Sequence, residues 1–111
     1  VRDIDNHTVI LRVHGEVDML TTPVLVEQLR AAEALLSPPV PVLVDLTGVT
    51  FLASAGLSAL VEYGERYAEL GSQLRVVATD RAVIRPITVT GLHELLPVFP
   101  TEQEALQRFP G

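Results

Sequence analysis

The spacing of hydrophobic and polar positions changes period several times along the chain, and each change marks an expected element. Thr8 to Val13 and Leu74 to Ala78 are short runs rich in β-branched residues and read as strands. Val42 to Leu46 is an almost unbroken apolar run, which suits a central strand covered on both faces. A short edge strand is expected around Arg2 to Ile4. Another is expected at Leu96-Pro97-Val98-Phe99, where the proline confines it to an edge. Between these runs the period lengthens. Thr21 and Thr22 are N-cap candidates, Pro23 suits the first helical position, and Leu25, Leu29, Ala32 and Leu36 then share one helix face. Ser37-Pro38-Pro39-Val40-Pro41 ends that helix.

A second helix is predicted from about Ser54 to Leu70, with Leu57, Leu60, Val61, Gly64 and Tyr67 or Ala68 inward. Leu57, Leu60, Val61 and Leu43 are expected in the core. Glu62, Glu65, Arg66 and Glu69 lie outward, with Glu62 and Arg66 spaced and oriented for an i,i+4 pair, and Gly71 stops the helix. A third helix starts near Asp80 and holds Pro86 well inside it, which predicts a kink or a break before Gly91-Leu92. Thr101-Glu102-Gln103-Glu104 matches a capping box for a last helix to about Arg108. The order β, β, α, β, α, β, α, short β, α argues for one α/β domain over residues 1–111. Its architecture is a sandwich with a mixed central sheet and helices packed mainly on one face.

Composition narrows the functions. With 111 residues, 48% of them hydrophobic, the chain can build a single core. It has no cysteine, no apolar run of membrane length and no signal-peptide pattern, so a cytoplasmic protein without membrane insertion is expected. It begins at Val1 and not Met, which leaves open what precedes it. Net charge is −6 and all eight basic residues are arginine, scattered without a stripe. Direct nucleic-acid binding is therefore disfavoured, and P-loop or Schiff-base chemistry has no lysine to use. A protein partner with a basic or mixed surface fits better.

The chemistry concentrates in one stretch. After the Val42–Leu46 strand, Thr47-Gly48 carries turn residues, Phe51 and Leu52 are apolar, and Ala53-Ser54-Ala55-Gly56 are all small. Small residues at a helix start let another backbone or another protein approach. Ser54 reads as the N-cap, and capping alone explains many serines in such places. Asp45 ends the central strand, but a receiver-type phosphoacceptor would need a lysine late in the sheet, so Asp45 is expected to cap the following loop. His7, His14 and His93 are dispersed and do not make a metal site. Ser54 lies in no Gly-x-Ser-x-Gly elbow and no His/Asp pair is placed to activate it, so no catalytic residue and no cofactor is implied.

The same stretch resembles the signature of the STAS domain, specifically of bacterial anti-sigma factor antagonists. The matching residues are Asp45-Leu46, Val49-Thr50-Phe51-Leu52 and Ala53-Ser54-Ala55-Gly56-Leu57, joined by Gly15-Glu16-Val17-Asp18 before the first helix and Thr90-Gly91-Leu92 near the end. The resemblance implies a non-enzymatic switch that binds an anti-sigma factor, often itself a serine kinase, and so frees the sigma factor. Phosphorylation of the serine at the helix start, here Ser54, then weakens the complex. Asp18 matches an acidic residue near that serine. The partner surface expected from the resemblance comprises Asp18, Thr50, Ala53, Ser54, Ala55, Gly56 and Leu57. The family commonly carries Asp directly before the serine, and Ala53 stands there in this chain. Two other classes share the fold or the size: a STAS interaction domain of a transporter, lipid-transport or stress-signalling complex, and a small ligand-binding or enzymatic α/β domain with a defined apolar pocket.

Overall fold

The computed structural model describes residues 2–5 and 8–107. His7, and Arg108 at the expected end of the last helix, lie outside the described residues. Nine elements follow one another: β1 (Arg2–Asp5), β2 (Thr8–Val17), α1 (Thr22–Glu33), β3 (Val42–Leu52), α2 (Ser54–Glu69), β4 (Leu74–Val77), α3 (Arg81–Val89), β5 (Val98–Phe99) and α4 (Glu102–Gln107). The five strands form one sheet in the order β1-β2-β3-β4-β5, with β1 antiparallel to β2 and every other pair parallel.

Alternation along the strands sorts the side chains onto two faces. Val9, Leu11, Val42, Val44, Leu46, Leu74 and Val76 meet the inner stripes of α1, α2 and α3 in the main core. Ile10, Leu43 and Val77 point to the back, where among the described residues Ala105 and Leu106 of α4, with Phe99, pack against them. The expected mixed sheet with helices mainly on one face is what forms. Leu43 is core, but on the back face, away from α2.

Several boundaries differ from the sequence reading, each for a local reason. β3 does not end at Leu46; it runs on to Leu52, and β2 runs beside it through Gly15-Glu16-Val17. Thr47-Gly48 is no turn. Arg12 pairs with Asp45 and His14 with Gly48, so two β3 residues face the single Val13; Thr50 is likewise left over between Gly15↔Val49 and Glu16↔Phe51. These are bulges, which bend a strand and re-aim its side chains. The His14 ring lies over Gly48: a Cβ there would fall 2.3 Å from Nδ1, so the exposed His14 side chain would have to move. Turn-like composition inside a strand thus marked a close approach.

The inner stripe of α2 is Gly56, Ala59, Leu60, Tyr63, Gly64 and Tyr67, with Leu57 and Val61 half-buried on its flank and Ala68 exposed. Arg66 does not turn to Glu62. Its guanidinium spans to α1 and donates two hydrogen bonds to Glu33, at 2.7 and 2.9 Å. Tyr67 ties the same two helices by donating to the Leu29 carbonyl at 2.6 Å, and burial raises its pKa. α3 is not broken at Pro86. Proline's missing N–H strands only the carbonyl of Ala82, an exposed residue in the first turn. Asp80 caps α3 by accepting from the Ala82 N–H at 2.8 Å, and the Glu104 N–H donates to Thr101 Oγ1 at 3.1 Å at the start of α4.

Candidate functional site

The extra length of β3 delivers the small-residue stretch to the end of the sheet. Beyond Leu52 the Ala53 N–H donates to the Val17 carbonyl at 2.8 Å, which pins the start of α2 against the end of β2. Ala53, in an extended conformation, is the N-cap, and Ser54 is the first helical residue. This corrects the expectation that Ser54 caps the helix. One position further on, its hydroxyl has left the extended geometry in which a side chain bonds the first-turn N–H groups. No side-chain cap bond forms. Ser54 is exposed, and among the described residues its hydroxyl has no hydrogen-bond partner.

Its neighbours divide into outward and inward positions. Thr50, left unpaired by the bulge, is exposed, and Ala53, Ala55 and Leu57 are half-buried. Gly56 is buried: a Cβ there would sit 2.6 Å from Val17 Cγ1 and 2.9 Å from Leu52 Cδ1. Its role in this structure is to let α2 rest on the ends of β2 and β3.

Asp18 begins the loop between β2 and α1 and is fully engaged within it. Its Oδ1 accepts from the Leu20 N–H at 2.9 Å, the Thr21 N–H at 3.0 Å and Thr21 Oγ1 at 3.1 Å. The Thr21 hydroxyl in turn accepts from the Asp18 N–H and shares its one hydrogen between the nearer Glu16 carbonyl, at 2.8 Å, and Asp18 Oδ1, and the Thr22 N–H donates to the Asp18 carbonyl. Thr21 is the N-cap of α1, spending its hydroxyl on this loop and not on the helix. The Thr21 N–H, foremost, and the Leu20 N–H hold the Asp18 carboxyl below its ordinary range.

The loop presents a surface that the sequence reading does not include. Met19 and Leu20 are 80% and 87% exposed, Val24 in the first turn of α1 60%, and Phe51 near the end of β3 49%. The signal was there: Met19, Leu20 and Val24 lie off the helical stripe of Leu25, Leu29, Ala32 and Leu36.

The other candidates lie elsewhere. Asp45 faces the back of the sheet and accepts from the Thr47 N–H and Oγ1, at 2.9 and 2.6 Å, holding the bulge as a cap would. His14 and His93 are apart, and among the described residues no cluster could hold a metal ion. An open groove of about 730 Å³ between α3 and β5 is lined by Ala78, Ile84, Thr88, His93 and Phe99 among others, and it shares no residue with the surface around Ser54.

The chain matches the STAS domain family model over residues 1–105. It is also 34% identical over 98 residues to the anti-sigma-F factor antagonist RsfA of Mycobacterium tuberculosis, covering 88% of this chain and 77% of that protein. This chain is a STAS domain of the anti-sigma factor antagonist family. It is 32% identical over 106 residues to the anti-sigma-F factor antagonist RsfB of the same species, covering 96% of this chain and 84% of the relative. The crystal structure of an anti-sigma factor antagonist from Mycobacterium paratuberculosis superposes with a TM-score of 0.88 at 35% identity, covering 98% of this chain and 91% of that one. Anti-sigma factor antagonists are non-catalytic regulators of sigma factors. No helix among the described residues is long and apolar enough to cross a membrane.

Proposed function

We propose that this STAS domain binds an anti-sigma factor, itself a serine kinase, and releases a sigma factor, and that phosphorylation of Ser54 ends the interaction. The observation that carries this reading is the exposed, unpartnered Ser54 hydroxyl on the first residue of α2, set among small side chains. The partner docks over Thr50, Ala53, Ser54, Ala55 and Leu57, beside the loop that Asp18 holds. Gly56 supports this surface from beneath. The compartment is the cytoplasm, where sigma factors act.

The switch follows from electrostatics and sterics. A phosphate brings about −1.5 to −2 charges. At a helix N-terminus such an anion is locally favourable, so the modified domain stays folded. Release then comes from clash and desolvation where the partner had packed. Ala53 adds no carboxylate beside the acceptor, which leaves Glu16 and Asp18 as the nearby negative charges along the chain segments that meet there.

The test pairs substitution with modification. Each anti-sigma factor encoded by the source genome is purified and titrated with the wild-type chain, Ser54→Ala and Ser54→Glu. Ser54→Ala is expected to bind as wild type and to resist phosphorylation, and Ser54→Glu to bind weakly. Incubation with the binding kinase and ATP, followed by phosphate mapping, is expected to place phosphate on Ser54. Tight binding without phosphate on Ser54 would leave a constitutive antagonist.

A further inference from the structure

Four of the seven large hydrophobic side chains that are exposed among the described residues, Met19, Leu20, Val24 and Phe51, lie on the two segments that meet at the start of α2. Glu16 pairs with Phe51 in the sheet and the Val17 carbonyl holds Ala53, so the 18–21 loop borders the Ser54 surface directly. Monomeric proteins seldom gather exposed apolar side chains in this way without an interaction to serve. Charges are sparse here. Across residues 16–26 and 47–61 only Glu16 and Asp18 are charged, and both are negative.

From this we propose that Met19 and Leu20, with Val24 and Phe51, form the apolar anchor of the interface, entering a partner surface that is apolar at its centre and cationic at its rim. Asp18 is a positioning residue: its Oδ1 gathers three donors from Leu20 and Thr21 and so fixes the loop that holds the anchor out. Such ordering is spent before binding, which lowers the entropy lost when the loop is captured. The inference rests on the proposed binding of an anti-sigma factor but not on the phosphoswitch.

The probe is whichever purified anti-sigma factor binds the wild-type chain in calorimetry. Leu20→Ser and Met19→Ser are each expected to weaken binding about tenfold or more, as for a central anchor. Their thermal melts should match wild type, since the removed atoms are in solvent. Asp18→Ala should weaken binding comparably. Asp18→Asn keeps an Oδ1 acceptor without the charge, and should stay within about threefold of wild type. Affinity should fall with added salt, as a cationic rim facing Glu16 requires.

Binding of Leu20→Ser and Met19→Ser within about twofold of wild type overturns the anchor, being below the effect of an anchor residue. Asp18→Asn failing as badly as Asp18→Ala overturns the positioning role and makes the charge itself the contact. Sedimentation showing a dimer of the chain alone that Leu20→Ser disperses would make the patch a self-interface instead. A wild-type chain that binds none of the anti-sigma factors overturns the functional reading and this inference with it. Loss at Leu20→Ser with full binding by Ser54→Glu overturns only the switch.

Discussion

At α4, on the back of the sheet, Arg75 is buried and Arg12, Asp45 and Glu102 are half-buried, and each is hydrogen-bonded to another group of the protein. Around the start of α2, Met19, Leu20, Val24 and Phe51 are exposed among the described residues. The back face takes the groups that are costly to bury and answers them. Arg12 meets Glu102 through two hydrogen bonds of 2.9 Å, and Arg75, 2% exposed, donates to the Ala105 carbonyl and to Gln73 Oε1 while lying over the Phe99 ring. The α2 end leaves apolar groups in solvent and answers none of them. A buried charge held by partners within the protein is explained by the fold alone. An exposed apolar cluster is not, and it is this that the proposed anchor accounts for.

Substitutions can break the contrast, beginning with those of largest effect. Leu60→Ala, in the main core, should cost about 2–5 kcal/mol in a denaturant melt. Leu57→Ala should cost clearly less, because that side chain only flanks the stripe. Gly56→Arg belongs with Leu60→Ala despite lying two residues from Ser54. Its Cβ meets Val17 and Leu52 below contact distance, and overpacking of this kind costs at least about 1–3 kcal/mol. A Gly56→Arg variant as stable as wild type would show that α2 can lift off the sheet end at little cost.

The back face should come next. Arg12→Ala leaves the Glu102 carboxylate without its fork, and about 1–2 kcal/mol is expected, tempered by the partial exposure of both side chains. A loss within measurement error would mean that water replaces the guanidinium there.

Acid should act on this face too. Burial alone would raise the pKa of Asp45, but the hydrogen bonds from Thr47 and the Arg12 charge beside it hold it below its ordinary value. A carboxyl depressed on folding adds stability above its unfolded pKa of about 3.9, and that stability is lost as pH falls through the folded value. Asp45→Asn should therefore flatten the acid limb of the stability curve below about pH 4. An unchanged limb would put the acid sensitivity elsewhere.

The smallest effect is expected at Ser54. Since its hydroxyl caps nothing, Ser54→Ala should change stability by no more than about 0.5 kcal/mol, against about 0.5–2 kcal/mol for a true N-cap. A loss in the upper range would restore the capping role.

Much of this was legible from the residues. The element order, the edge strands, the capping box at Thr101 and the proline-led start of α1 are local signals, and local chemistry decided them. The stretch around Ser54 stood out as a run of small residues, Ala53 to Gly56, between an apolar strand and a helical stripe. Three features were misread for one shared reason. Thr47-Gly48 looks like a turn, Ser54 like a cap, and Glu62–Arg66 like a pair, because each judgement used only neighbours along the chain.

The periods of apolar residues determined by themselves that this chain folds as a one-layer sheet with amphipathic helices, and the lack of lysine, cysteine and clustered histidine removed most chemistries. Contacts distant in sequence decided the rest. Pairing with β2, across two register shifts, carries β3 through an apparent loop to Leu52, and the helix is capped at Ala53, one residue before Ser54. That single residue freed the Ser54 hydroxyl. Glu33 on α1 drew Arg66 away from Glu62, and the Val17 carbonyl brought the Asp18 loop to the start of α2. Periodicity records which side of an element is apolar; only packing between elements sets which polar group reaches which partner, and which apolar one is left without cover.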